Sequence, residues 1–181
     1  TLASDITPIV EIVQRTGVPI ECCTFIGSSP LRQYAEGWTL DFLQKTTDEA
    51  IGFAVREGLT VMYVTEDTTR ADPASIRALY TSAIRAGASR VCVADTVGHA
   101  TPSGARAVVG FVKTLLAEIG PAVGIDWHGH RDRGLGLAAA LAALEAGASR
   151  LHGAALGLGE RCGNTPIDLL LVNLVMMGYL D

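Results

Sequence analysis

Aromatic side chains make up only 6% of this sequence and charged ones 18%, and neither sign of charge forms a run. Fourteen Lys and Arg stand against nineteen Asp and Glu, for a formal net charge of −5. A chain with no basic patch does not attract phosphates, so nucleic-acid binding is excluded as the leading class. Long apolar runs are missing as well. The stretches from Val108 to Ile125 and from Leu135 to Ala148 are broken by Lys113, Glu118, Glu145 and the Gly120-Pro121 pair, short of the ~20 residues a membrane span needs. Low-complexity tracts are absent, and an apolar fraction of 49% excludes a disordered chain. Cys22, Cys23, Cys92 and Cys162 form no C-x-x-C pair, so they read as reduced thiols of a cytoplasmic protein. The first residues show neither a signal-peptide pattern nor an initiator Met, and the chain is expected to start partway through a longer protein.

What is present is a repeat. Arg85-Ala-Gly-Ala-Ser-Arg-Val-Cys-Val-Ala-Asp95 returns as Glu145-Ala-Gly-Ala-Ser-Arg-Leu-His-Gly-Ala-Ala155, with a looser copy from Arg56 to Glu66. Each copy reads as a helix end, a glycine at the cap and a short apolar strand. Further apolar runs follow Gly17 and Pro121, so five strands recur about every 30 residues with a longer first interval. Short buried runs alternating with helices predict βα units and a parallel sheet. Thr7-Pro8, Asp72-Pro73, Thr101-Pro102 and Thr165-Pro166 each read as a capping side chain before a proline at the first helical position. Asp168 is placed to complete a capping box with Thr165. Five βα units fit an open doubly wound sheet or five-eighths of a (β/α)8 barrel, a fold of ~250 residues. In both, chemistry sits at the carboxyl ends of the strands.

Four of those five ends are polar and carry possible ligands or acid–base groups. The five read Ser28-Ser29-Pro30, Glu66-Asp67-Thr68, Asp95-Thr96-Val97-Gly98, His128-Gly129-His130-Arg131-Asp132 and Gly157-Leu-Gly-Glu160-Arg161-Cys162-Gly163-Asn164. His128 and His130 are two apart on a strand and point to one face, as ligands of a divalent metal do. Glu66 offers a carboxylate for acid–base or orienting work, whereas Asp67 reads as part of a solvated loop. Asp95-Thr96 reads equally as a substrate-binding hydroxyl or as an Asx-type turn. The last loop opens a helix and suits an anion, with Cys162 read as structural. Gly134-Leu-Gly136-Leu-Ala-Ala139 matches a dinucleotide fingerprint, but it lies too far beyond its strand for the tight turn such a site needs.

Taken together, these ordered motifs resemble the metal-dependent acyl-CoA condensing and cleaving barrels. These are the isopropylmalate, homocitrate and citramalate synthases with their HMG-CoA lyase-like and aldolase relatives. The resemblance rests on Glu66-Asp67-Thr68-Thr69-Arg70-Ala-Asp72, Asp95-Thr96-Val97-Gly98 with Thr101-Pro102, His128-Gly-His130-Arg-Asp132-Arg-Gly-Leu-Gly, and Gly157-Leu-Gly-Glu160-Arg161-Cys-Gly163-Asn164. It covers essentially the whole chain, and Gly-Glu-Arg-x-Gly-Asn looks most like the 2-isopropylmalate synthases of leucine biosynthesis.

The resemblance implies that residues 1–181 are strands four to eight of a TIM-barrel catalytic domain, without the first three strands or any downstream regulatory domain. It implies a divalent metal (Mn, Zn or Mg) on His128 and His130, with Asn164 as a further ligand or a neighbour of the ligands. Thr96 would bind the substrate carboxylate, Glu66 would sit against the oxo acid as the catalytic carboxylate, and Glu160 and Arg161 would lie in a loop near the site. The substrates would be acetyl-CoA and a 2-oxo acid, with 2-oxoisovalerate the first expectation, in a homodimer. A lyase or aldolase running the related cleavage, or a metal-binding piece without turnover, are the alternatives. Two departures stand out. The Asp-Arg-Glu signature of the family's first strand is missing, and Arg131 stands where Asn or Ser is usual. His99 and His152 match no motif position.

Overall fold

The computed structural model describes all 181 residues. Five strands, β1 (Glu21–Gly27), β2 (Thr60–Glu66), β3 (Arg90–Asp95), β4 (Gly124–Gly129) and β5 (Arg150–His152), pair in parallel in the order β1-β2-β3-β4-β5. Every strand neighbours the next in sequence, so the order never reverses as a doubly wound sheet requires. Two expectations are thereby separated. The chain is five consecutive units of a (β/α)8 barrel, a partial chain of that fold.

The helices cover one face of the sheet. They are α1 (Ala3–Thr16), α2 (Pro30–Glu36), α3 (Leu40–Arg56), α4 (Pro73–Ala86), α5 (Pro102–Ile119), α6 (Gly136–Ala146) and α7 (Ile167–Met176). Alternate strand residues Val61, Tyr63, Val91, Val93, Ile125 and Trp127 face them and join Ile51, Leu79, Val109 and Leu115 in one core. Each such side chain contributes ~1.5–3 kcal/mol by leaving water. The other alternation lines the concave face. Glu21, Cys23 and Phe25 of β1 are exposed there.

Two of the four proline-marked helix starts hold. Asp72 accepts from the Ser75 amide at 3.1 Å, and Thr101 from the Gly104 amide at 3.1 Å. The other two are corrected. Pro8 lies inside α1, whose start is instead tied by the Leu2 amide to the Asp5 carboxylate at 2.8 Å. The Thr165 hydroxyl faces the Gly129 carbonyl at 3.2 Å and caps no helix, so α7 begins at Ile167 with no capping box from Asp168. The long first interval holds two helices where one was expected. Ser29 caps α2 by accepting from the Arg32 amide, and Thr39 caps α3 by accepting from the Phe42 amide.

Candidate functional site

The polar strand ends converge at one rim of the concave face and are laced together by backbone bonds. The Ser28 amide donates to the Glu66 carbonyl at 3.0 Å, tying β1 to β2. The His130 amide donates to the Asp95 carbonyl at 3.2 Å, and the Thr165 amide to the Gly129 carbonyl at 3.1 Å. Between the ends of β3 and β4 the chain passes so closely that a Cβ on Gly98 would meet the His130 carbonyl oxygen at 2.9 Å, and Gly98 has φ +58. Only glycine fits both conditions.

His128 and His130 do meet. Their Nε2 atoms lie 3.2 Å apart and their rings are nearly perpendicular, at 81°. Two imidazole nitrogens bound cis to one cation at ~2.1 Å stand about 3 Å apart, so the pair is spaced as cis ligands are. Burial, then the neighbouring imidazoles of His130 and His152, push His128 down to about 4. At neutral pH its ring is therefore uncharged and keeps the lone pair a cation needs. His130 is buried, and its Nδ1 has no hydrogen-bond partner. No group of three or more His, Cys, Asp or Glu side chains surrounds a common point. The donor chemistry therefore fits two ligands of a divalent metal and leaves further positions to groups other than this chain's carboxylates and thiols.

Asn164 comes to the pair through its backbone, which forms an isolated antiparallel bridge with His130. Its side-chain amide donates to the Leu158 carbonyl at 3.0 Å. Thr96 and Glu66 line one cleft of about 220 Å³ together with Ser29, Arg32, Asp67 and Arg70. The Thr96 hydroxyl accepts from the Asp67 amide at 2.8 Å, which leaves its own hydrogen available to an acceptor in the cleft. The Glu66 carboxylate is half-buried, with Oε2 3.8 Å from the Arg32 guanidinium. A larger cleft, about 370 Å³, lies outside this group beside His99, Thr101 and Arg133.

Asp67 is not solvated. It is buried, adopts φ +61 and holds Arg70 through two hydrogen bonds of 2.8 and 2.7 Å. A buried carboxylate requires such partners. Asp95 makes the Asx-type turn. Its Oδ1 accepts from the His99 amide at 2.9 Å and from the Thr69 hydroxyl at 2.8 Å, so the free hydroxyl of this motif is Thr96 alone.

Glu160 is exposed. Arg161 instead reaches back over the strand ends, donating to Asp132 at 2.8 and 3.1 Å and to the Thr96 carbonyl at 2.6 Å. Arg131 holds the same loop from below through the Cys162 carbonyl at 2.6 Å. Two residues enter the site unannounced by any motif. Asp126, two before His128 on β4, is fully buried, and His152 of β5 joins it at 2.9 Å between Nε2 and Oδ2. The only signal for Asp126 was the period-two spacing that puts residues 126, 128 and 130 on one face, and nothing local pointed to His152.

Comparison with known proteins places these features in a family. The HMGL-like family model matches residues 5–180. A mitochondrial homocitrate synthase of Schizosaccharomyces pombe is 37% identical over 150 residues, which is 82% of this chain and 35% of that protein. A Methanosphaerula palustris protein described as an (R)-citramalate synthase is 39% identical over 133 residues, 73% of this chain and 25% of that protein. The chain thus spans about a third or less of the length of these relatives. Among solved structures, the HMG-CoA lyase of Bacillus subtilis superposes with a TM-score of 0.76 at 22% identity, over 93% of this chain and 59% of that one. That likeness establishes the fold.

Proposed function

From a chain that belongs to the HMGL-like family, we infer part of the catalytic barrel of an enzyme that condenses acetyl-CoA with a 2-oxo acid and releases CoA. The observation that carries this reading is the 3.2 Å approach of His128 Nε2 to His130 Nε2 at the carboxyl end of β4. The two imidazoles would hold a divalent cation, Mn, Zn or Mg, with Asn164 beside them. When bound, such a cation acts as a Lewis acid on the carbonyl of the 2-oxo acid. The Thr96 hydroxyl donates its free hydrogen to the substrate carboxylate. Glu66, in the same cleft as Thr96, faces the oxo acid and takes the catalytic carboxylate's role. Arg161, with Glu160 beside it, keeps the last loop over the site and fixes the Thr96 backbone from above.

The finer reading is a 2-isopropylmalate synthase-like acyltransferase, with 2-oxoisovalerate as the first substrate, acting as a cytoplasmic homodimer. No helix is long and apolar enough to cross a membrane. Residues 1–181 supply five strands of the barrel domain, and the remaining strands carry the missing metal carboxylate. The test is CoA release by the complete barrel with acetyl-CoA, Mn²⁺ and a panel of pyruvate, 2-oxoisovalerate and 2-oxoglutarate. Release with 2-oxoisovalerate and formation of a branched hydroxy diacid support the reading. Release with another oxo acid replaces the substrate but keeps the reaction, and no release with any of them overturns it. Because no third His, Cys, Asp or Glu ligand stands beside the pair, residues 1–181 alone should bind metal without turnover.

A further inference from the structure

Asp126 and His152 are explained neither by the motifs nor by the roles assigned above. Asp126 projects onto the concave face one step below His128, and its side chain is wholly buried. A buried carboxylate must be neutralised, and Arg90 does so with Nε 2.5 Å from Oδ1, with Arg150 adding a contact of 3.4 Å to Oδ2. Charge balance is therefore met by two guanidiniums, and it gives no reason for an imidazole. Yet His152 Nε2 takes the remaining good site on Oδ2, at 2.9 Å. A carboxylate acceptor makes that nitrogen the N–H of the ring and fixes the ring's orientation.

The fixed ring then does something specific. His152 and His128 are register partners on β5 and β4, and their rings pack at 5.6 Å between centroids, tilted by 59°. His130 lies beside the same ring of His128 at 5.1 Å. The ring of His128 is thus held between two imidazoles, one of which is anchored to a buried carboxylate.

We propose that His152, clamped by Asp126, is a positioning residue for the metal pair: its ring is the wall that keeps His128 Nε2 turned toward His130 Nε2. The proposal rests on the reading of His128 and His130 as metal ligands. It also explains why the sequence motif alone leaves residue 152 unassigned. The residue acts through His128 and touches neither substrate nor cation.

The experiment measures Mn²⁺ affinity calorimetrically on the complete, chelator-stripped protein, with the visible spectrum of the Co²⁺-loaded form as a second readout. His152→Ala removes the wall and is expected to weaken Mn²⁺ binding about tenfold or more, with an altered Co²⁺ spectrum. His152→Phe restores a ring of similar thickness and should recover most of that affinity. His152→Gln keeps a donor for Asp126 but has no ring, and should bind as weakly as the alanine variant. Wild-type affinity in H152A or H152Q overturns the proposal, as does failure of H152F to recover what H152A loses. If H152A does not fold, as judged by its unfolding in chelator, H152F and H152Q decide between them. A wild-type protein that takes up neither Mn²⁺ nor Co²⁺ defeats the metal reading itself, a result distinct from any of these.

Discussion

Arg150 of β5 and Glu21 of β1, 129 residues apart in sequence, meet across the concave face with Nη1 2.5 Å from Oε2. These are the two edge strands of the sheet. Their side chains touch only because the sheet twists and coils so far that its first and last strands face each other, as strands of a barrel do. Arg150 is shared with Asp126 at 3.4 Å, so one guanidinium joins an exposed carboxylate to a buried one.

That sharing predicts two unequal costs. Glu21 is part-exposed, and Glu21→Gln should destabilise by less than ~1 kcal/mol, as surface pairs do. Asp126→Ala leaves Arg90 and His152 without their buried acceptor and should cost about 3–5 kcal/mol. Urea unfolding of both variants at neutral pH measures the difference. Equal costs would mean that burial does not grade this network.

Tyr63 of β2 and Tyr80 of α4 predict an alkaline limit. Tyr63 hydrogen-bonds Thr47 at 2.8 Å, and Tyr80 donates to the Cys92 carbonyl at 3.1 Å. Both are fully buried, and burial pushes both phenols well above the ordinary tyrosine range. Their folded pKa is raised, so the stability they contribute is fully present below pH ~10 and is lost as pH rises beyond it, where only the unfolded chain releases the protons. Unfolding free energy should fall by about 1.4 kcal/mol per pH unit for each tyrosine in that range. Tyr80→Phe should lower the slope by about 1.4 kcal/mol per pH unit, and an unchanged slope would refute the assignment.

Much of this architecture was legible, because strands and their ends obey local rules. The Ala-Gly-Ala-Ser repeat marks helix ends and strand starts, and period two alone puts His128 and His130 on one face. What failed depended on which of several available partners a polar side chain takes, some of them distant. Thr165 has the chemistry of a cap, but the Gly129 carbonyl across the sheet holds its hydroxyl. Ser29-Pro30 reads as a strand end and is one, yet it also opens α2. Asp67 carries no sign of burial until Arg70 folds back on it. The Asp126–His152 pair joins two strands 26 residues apart, and no local pattern announces a contact of that kind.

The final loop predicts a dynamic effect. Arg161 sits at φ +53, a conformation side chains rarely adopt, and its hydrogen bonds to Asp132 and the Thr96 carbonyl hold it there. The same guanidinium holds the Asp132 carboxyl below its ordinary range. Arg161→Ala should release the loop, speeding amide exchange from Gly157 to Asn164 by up to roughly fivefold, the equivalent of one exposed ion pair. Exchange confined to wild-type rates would show that Arg131, through the Cys162 carbonyl, is sufficient by itself.

Thr96 allows the sharpest separation of structure from binding. Its oxygen accepts from the Asp67 amide at 2.8 Å, and its hydrogen is free for an acceptor in the cleft, which the proposed function takes to be the carboxylate of the oxo acid. Thr96→Ser keeps both bonds and should leave KM for the oxo acid within a few-fold of wild type. Thr96→Val removes both, so it also strands a backbone donor, and a loss of thermal stability alone would not diagnose substrate contact. Thr96→Ala, smaller and open to water at the cleft, lets solvent reach the Asp67 amide while removing the donor to substrate. A hydrogen bond to a charged group is worth ~1.5–3 kcal/mol. In the CoA-release assay, kcat/KM should therefore fall roughly 10- to 150-fold in the alanine variant, with the KM for acetyl-CoA unchanged. A fall shared equally between the two substrates would assign Thr96 to holding the ends of β2 and β3 together, and would move the carboxylate site elsewhere in the barrel.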